Sequence, residues 1–132
     1  MTPTEQRATE VVCLVDDDLA VLKSIGRLLA SDGLAVRGFS NPKDFLAHVQ
    51  AHFVPLVVLD ILMENMTGLE VQAQLRGLSP RTNVIIMTGR EDPNTRSTAV
   101  QMGASAFFTK PFDDEQFLCS VRDALGQSSR NQ

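Results

Sequence analysis

Tryptophan and tyrosine are missing from this 132-residue chain, and cysteine occurs only twice. Two cysteines cannot build the disulfide framework of a small secreted domain. Cys13, inside an apolar run, and Cys119, beside Phe117, Leu118 and Val121, are read as reduced packing residues. No apolar run is long enough to cross a bilayer, and the opening MTPTEQRATE is polar rather than signal-like. The expected location is the cytoplasm, with no membrane partner. Positive charge is also short: 12 Lys and Arg against 16 Asp and Glu leave a net charge of -4. That balance argues against a stand-alone nucleic-acid binder. Neither G-x-G-x-x-G nor a P-loop occurs, which ranks a nucleotide- or flavin-binding module low. No linker or low-complexity tract divides the chain, and its length fits one domain with a real core. The expected domain spans 10–125, with polar, frayed ends at 1–9 and 126–132.

Five short apolar runs are present: VVCLV (11–15), LAVRGF (34–39), PLVVLD (55–60), NVIIMT (83–88) and SAFFT (105–109). The third and fourth are continuously apolar and rich in Val and Ile, as strands covered on both faces tend to be. The second alternates more, which suggests an edge strand. Helical patterns separate the runs. Val21, Leu22, Ile25, Leu28 and Leu29 form one stripe, and Phe45, Leu46 and Val49 another. Asn41-Pro42 reads as an N-cap with proline at the first helical position, and Thr67 to Glu70 as a capping box ahead of Leu69, Ala73 and Leu75. Pro93 opens a fourth helix, poor in apolar residues, that reaches about Met102. Asp113 and Gln116 cap a fifth, whose face is Phe117, Leu118, Val121, Ala124 and Leu125. Strand then helix, five times over, implies right-handed crossovers and an α/β fold: a parallel sheet with helices on both faces.

In an open parallel sheet the ligand crevice lies beyond the carboxyl ends of the strands. The residues there are distinctive. Asp16, Asp17 and Asp18 follow the first run, Asp60 ends the third, Thr88-Gly89 ends the fourth, and Lys110-Pro111 follows the fifth. The amino ends carry no comparable cluster. Converging carboxylates need counter-charge, and a hard oxygen-liganded cation such as Mg²⁺ suits them. A carboxylate, a divalent cation, a lysine and a hydroxyl around one crevice make a phosphoryl site, with one carboxylate as nucleophile. Each residue also has an ordinary alternative. Asp18 is better read as a helix N-cap than as a ligand, and Thr88 or Lys110 alone would pass for turn residues. Asp60 is harder to dismiss, because its neighbours Val57, Val58, Leu59, Ile61 and Leu62 are apolar and a buried carboxylate needs partners.

In order and spacing, VVCLVDDD, VVLDILMENMTGLE, VIIMTG and FFTKPF resemble the receiver domain of bacterial two-component response regulators over about residues 10–125. The resemblance implies a flavodoxin-like (βα)5 sheet of strand order 2-1-3-4-5. It implies that Asp60 accepts a phosphoryl group from a histidine kinase or histidine phosphotransfer protein. It implies that Asp16, Asp17, Asp60 and the backbone carbonyl of Leu62 hold Mg²⁺ (or Mn²⁺), with Asp16 acting mainly through water. Thr88 would be the switch hydroxyl, Phe107 the aromatic switch position, Lys110 the phosphoryl partner, and Pro111 the residue after a cis peptide. Such a protein is a signalling switch rather than a turnover enzyme, and its changing surface would be the fourth helix, fifth strand and fifth helix. A phosphatase of the haloacid-dehalogenase kind would need a second aspartate at position 62, which here is leucine.

Two departures from the family pattern stand out. Glu64 follows Met63 where the family often has proline; this frees a backbone N–H and adds a charge expected to face water. Leu62 and Arg90 occupy positions that vary in the family and flank the route of attacking water, so a bulky Leu62 is expected to slow loss of the phosphoryl group.

Overall fold

The computed structural model describes residues 11–130, with side chains through 126. The elements, in chain order, are β1 (Val11–Val15), α1 (Leu19–Ser31), β2 (Ala35–Phe39), α2 (Pro42–Ala51), β3 (Leu56–Asp60), α3 (Gly68–Leu78), β4 (Asn83–Thr88), α4 (Pro93–Gln101), β5 (Ala106–Thr109) and α5 (Asp114–Arg130). All four strand pairings are parallel, in the order β2-β1-β3-β4-β5. This is the order the family resemblance implies.

Strand alternation divides the core in two. Cys13, Val15, Val57, Leu59, Val84 and Ile86 face α2, α3 and α4, meeting Phe45, Leu46, Val71, Leu75 and Ala99. Val12, Leu14, Leu56, Val58, Ile85 and Met87 face α1 and α5, meeting Ile25, Leu29, Phe117, Val121 and Ala124. Strand β3 is buried along its whole length, whereas the edge strands β2 and β5 are no more than half-buried.

The local signals are realised by the expected side chains. Asp18 caps α1 by accepting from the N–H groups of Ala20 and Val21, Asn41 caps α2 ahead of Pro42, and Thr67 and Glu70 form the reciprocal box of α3. Asp113 accepts the Gln116 N–H at 2.8 Å. Two expectations are corrected. Ala73 faces solvent, and Val71 and Gln72 are buried instead, because the buried face of α3 is set by its seat between α2 and α4. Cys119 lies on the exposed side of α5, so only Cys13 packs; burial raises the Cys13 thiol to about 11. Helix α5 runs as far as Arg130. The ends expected to fray at 1–9 and 131–132 lie outside the described residues. Among the described residues no helix is long and apolar enough to cross a membrane.

Candidate functional site

The carboxyl ends of β1 and β3 adjoin at the middle of the sheet, and each strand hands its last carboxylate to the same cleft. Asp16 is 1% exposed and Asp60 5% exposed. Backbone bonds fix both: the Asp16 N–H donates to Phe39 O, and the Ile61 N–H to Met87 O, so the ladder runs on past each acid. Asp17 is the exposed member. Carboxylate oxygens of Asp16, Asp17 and Asp60 lie within 4.8 Å of one another. Like charges at that spacing are tolerated only with counter-charge.

Lys110 supplies part of it. Its Nζ donates to Asp16 Oδ2 at 3.1 Å and to Asp60 Oδ1 at 3.4 Å. The lysine is placed by the loop after β5: its N–H donates to Thr88 O, the Lys110–Pro111 peptide is cis, and Phe112 packs between Phe108 and Phe117. One lysine against three acids leaves Asp60 above its ordinary range, at about 6. Burial is the main cause and the Asp16 charge adds to it, while Lys110 pulls the other way.

The three aspartates of V-D-D-D therefore have three environments. Asp16 is buried and accepts both Lys110 and the Asp18 N–H. Asp17 reaches across the cleft and accepts the Glu64 N–H at 3.1 Å. Asp18 caps α1.

The loop between β3 and α3 is pinned beneath Asp60. The Gly68 N–H donates to Ile61 O. A Cβ at Gly68 would stand 2.5 Å from Asp60 O and 2.9 Å from Ile61 Cα, so only glycine lets α3 start this close to β3. The capping-box reading recognised this residue as a helix start and missed the close approach.

The residues expected to switch, Thr88 and Phe107, lie on the β4–β5 side. Thr88 is buried, and its hydroxyl is turned to its own loop, donating to Arg90 O and accepting the Arg90 N–H. The structure does not bring it onto Asp60. Gly89 has no atom within 4 Å of a built Cβ, so the space beside Thr88 is open. Phe107 is half-buried with the Arg96 guanidinium 4.6 Å above its ring. Arg96 pairs with Glu91 at 3.0 Å, and Glu91 also accepts from the Thr109 hydroxyl. Those hydrogen bonds hold the Glu91 carboxyl below its usual range. No spacing in the sequence announces this cluster, because Glu91 lies in a loop, Arg96 on a helix and Phe107 on a strand. Leu62 is 56% exposed, beside the cleft rather than in the core.

The family model of the response regulator receiver domain matches residues 12–122. The chain belongs to that family. Among curated relatives, the response regulator protein TodT of Pseudomonas putida is 39% identical over 115 residues, covering 87% of this chain and 51% of TodT. This receiver spans about half the length of the curated relatives it matches. A CheY-like response regulator receiver domain from Methanospirillum hungatei superposes with a TM-score of 0.87 at 25% identity, covering 93% of this chain and 98% of its own. The BeF3-activated receiver domain of DrrB, a Thermotoga maritima protein, superposes with a TM-score of 0.80 at 29% identity, covering 89% and 97%. The chain is thus a receiver of two-component systems, a signalling switch by family.

Proposed function

We propose that this receiver takes a phosphoryl group onto Asp60 from the phosphohistidine of a histidine kinase or histidine phosphotransfer protein in the cytoplasm. The observation that carries the reading is a nearly buried carboxylate at the end of a fully covered strand, held against a lysine and two further acids. An Asp60 oxygen attacks phosphorus, the phosphorus–nitrogen bond breaks, and the imidazole leaves with the electron pair. The product is an acyl phosphate.

The donor set fits a divalent cation. Three carboxylates with one lysine leave the cleft short of positive charge, and hard oxygen ligands suit Mg²⁺ or Mn²⁺. Asp17, Asp60 and the Leu62 carbonyl would hold it, with Asp16 behind a water. When bound, it neutralises phosphoryl oxygens and favours the ionised form of Asp60. Lys110 stands ready to leave Asp60 for a phosphoryl oxygen. Thr88 then exchanges its loop carbonyl for that group, and the loop bearing Glu91 moves with it. Phe107 is released from under Arg96, and the face formed by α4, β5 and α5 changes shape. This is a shift between two pre-existing arrangements. Exposed Leu62 shields the acyl phosphate from water and lengthens its life.

Mg²⁺-dependent labelling by a phosphohistidine donor or acetyl phosphate tests the assignment. Labelling is expected in the wild type and reduced at least about a hundredfold in Asp60→Asn. Labelling of that variant at the wild-type level overturns the assignment.

A further inference from the structure

Of the three acids in the cleft, Asp17 has the least to hold it. Asp16 is buried and bonded to Lys110 and to the Asp18 N–H, and Asp60 is buried and bonded to Lys110. Asp17 is exposed, and among the described residues the Glu64 N–H is the only hydrogen-bond donor to its carboxylate. That donor exists because residue 64 is not proline, which would have no N–H.

The donor is also stationary. Met63, immediately before it, is buried in the core cluster beneath α2 and α3. The loop is closed at its two ends by the Ile61 N–H to Met87 O and the Gly68 N–H to Ile61 O. The Glu64 side chain itself is exposed and forms no ion pair among the described residues. Its charge faces water while its main chain faces the site.

We propose that Glu64 is a positioning residue whose main-chain N–H presets the Asp17 carboxylate for a divalent cation. The bond engages Oδ2 and leaves Oδ1 with no hydrogen-bond donor among the described residues. A carboxylate ordered in advance loses less freedom when the ion arrives, and partners of this kind orient metal ligands generally. The inference rests on the reading of the acidic cleft as a cation site.

The decisive comparison is Glu64→Gln against Glu64→Pro. Both remove the charge, and only the second removes the N–H. Mg²⁺ affinity measured by calorimetry on the unphosphorylated chain is expected to be roughly three- to tenfold weaker in Glu64→Pro than in Glu64→Gln. In an Asp17→Ala background, which leaves the N–H no side-chain acceptor, the same two substitutions are expected to differ by less than about twofold, because the N–H acts through Asp17. That background also detects proline acting merely by distorting the loop: an undiminished penalty there overturns the proposal. Equal affinity of Glu64→Gln and Glu64→Pro, or tighter binding by the proline variant, overturns it alone. A wild type that takes up no Mg²⁺ at millimolar concentration overturns the cation reading and this inference together.

Discussion

The side of the cleft proposed as acceptor and the side proposed to switch are built from different materials. Asp60 ends a strand with five buried residues, above a loop pinned by Met63 and by the contact at Gly68. The neighbouring helix α4 buries a single residue, Ala99. What else holds it is polar: Gln72 Nε2 donates to Ala99 O from α3, and the Glu91–Arg96 pair covers Phe107 at the surface. Apolar burial stabilises by about 1.5–3 kcal/mol per large side chain, whereas exposed ion pairs contribute little. The first side therefore resists displacement and the second yields. A nucleophile needs a fixed position. A switch needs two arrangements of nearly equal free energy.

The contrast can be broken first on the acceptor side. Leu59→Ala removes a fully buried side chain next to the acceptor and should cost about 2–5 kcal/mol in denaturant unfolding. A cost below about 1 kcal/mol would mean that this strand is no stiffer than its surroundings. Gly68→Ala drives a methyl group into the Asp60 backbone, and overpacking of this kind costs about 1–3 kcal/mol. The same variant should lose phosphorylation rate beyond its loss of stability, because Asp60 itself must shift. An unchanged rate at full folding would show that the approach is slack.

The acidic cleft gives an effect of middle size. The folded chain holds the Asp60 proton more tightly than the unfolded chain does, with the native value at about 6. The contribution of Asp60 to metal-free stability should therefore fall as pH rises from about 4 through about 6 and stay low above that. Asp60→Asn lacks this decline. In EDTA its melting temperature should match the wild type near pH 4 and exceed it by roughly 5 °C at pH 7. Parallel melting curves across that range would remove the strain from Asp60.

The smallest effect belongs to the switching side. Arg96→Ala uncovers Phe107 and releases Glu91, yet the melting temperature should move by no more than roughly 2 °C. The Phe107 ring resonances should move farther, toward the positions seen with BeF3⁻ and Mg²⁺ added. A loss of many degrees, or a spectrum that does not move, would show that α4 is anchored as firmly as β3.

The alternation of apolar runs and helical stripes was enough to determine the class of fold, because burial on two sheet faces imposes that pattern. It also marked Asp16, Asp17, Asp60, Thr88 and Lys110 through their common place just after strands. The strand order came from resemblance, since periodicity does not say which strand lies beside which. The tertiary structure decided what local pattern leaves open. Ala73 and Val71 are both apolar on α3, and only the packing of α2 and α4 determines which is buried. Glu64 and Asp17 are 47 positions apart, and their bond depends on how β1 and β3 adjoin. Glu91, Arg96, Phe107 and Thr109 meet because β4 and β5 pair in one register. Sequence determines what each residue prefers among its near neighbours; contacts across the sheet depend on the path of the whole chain.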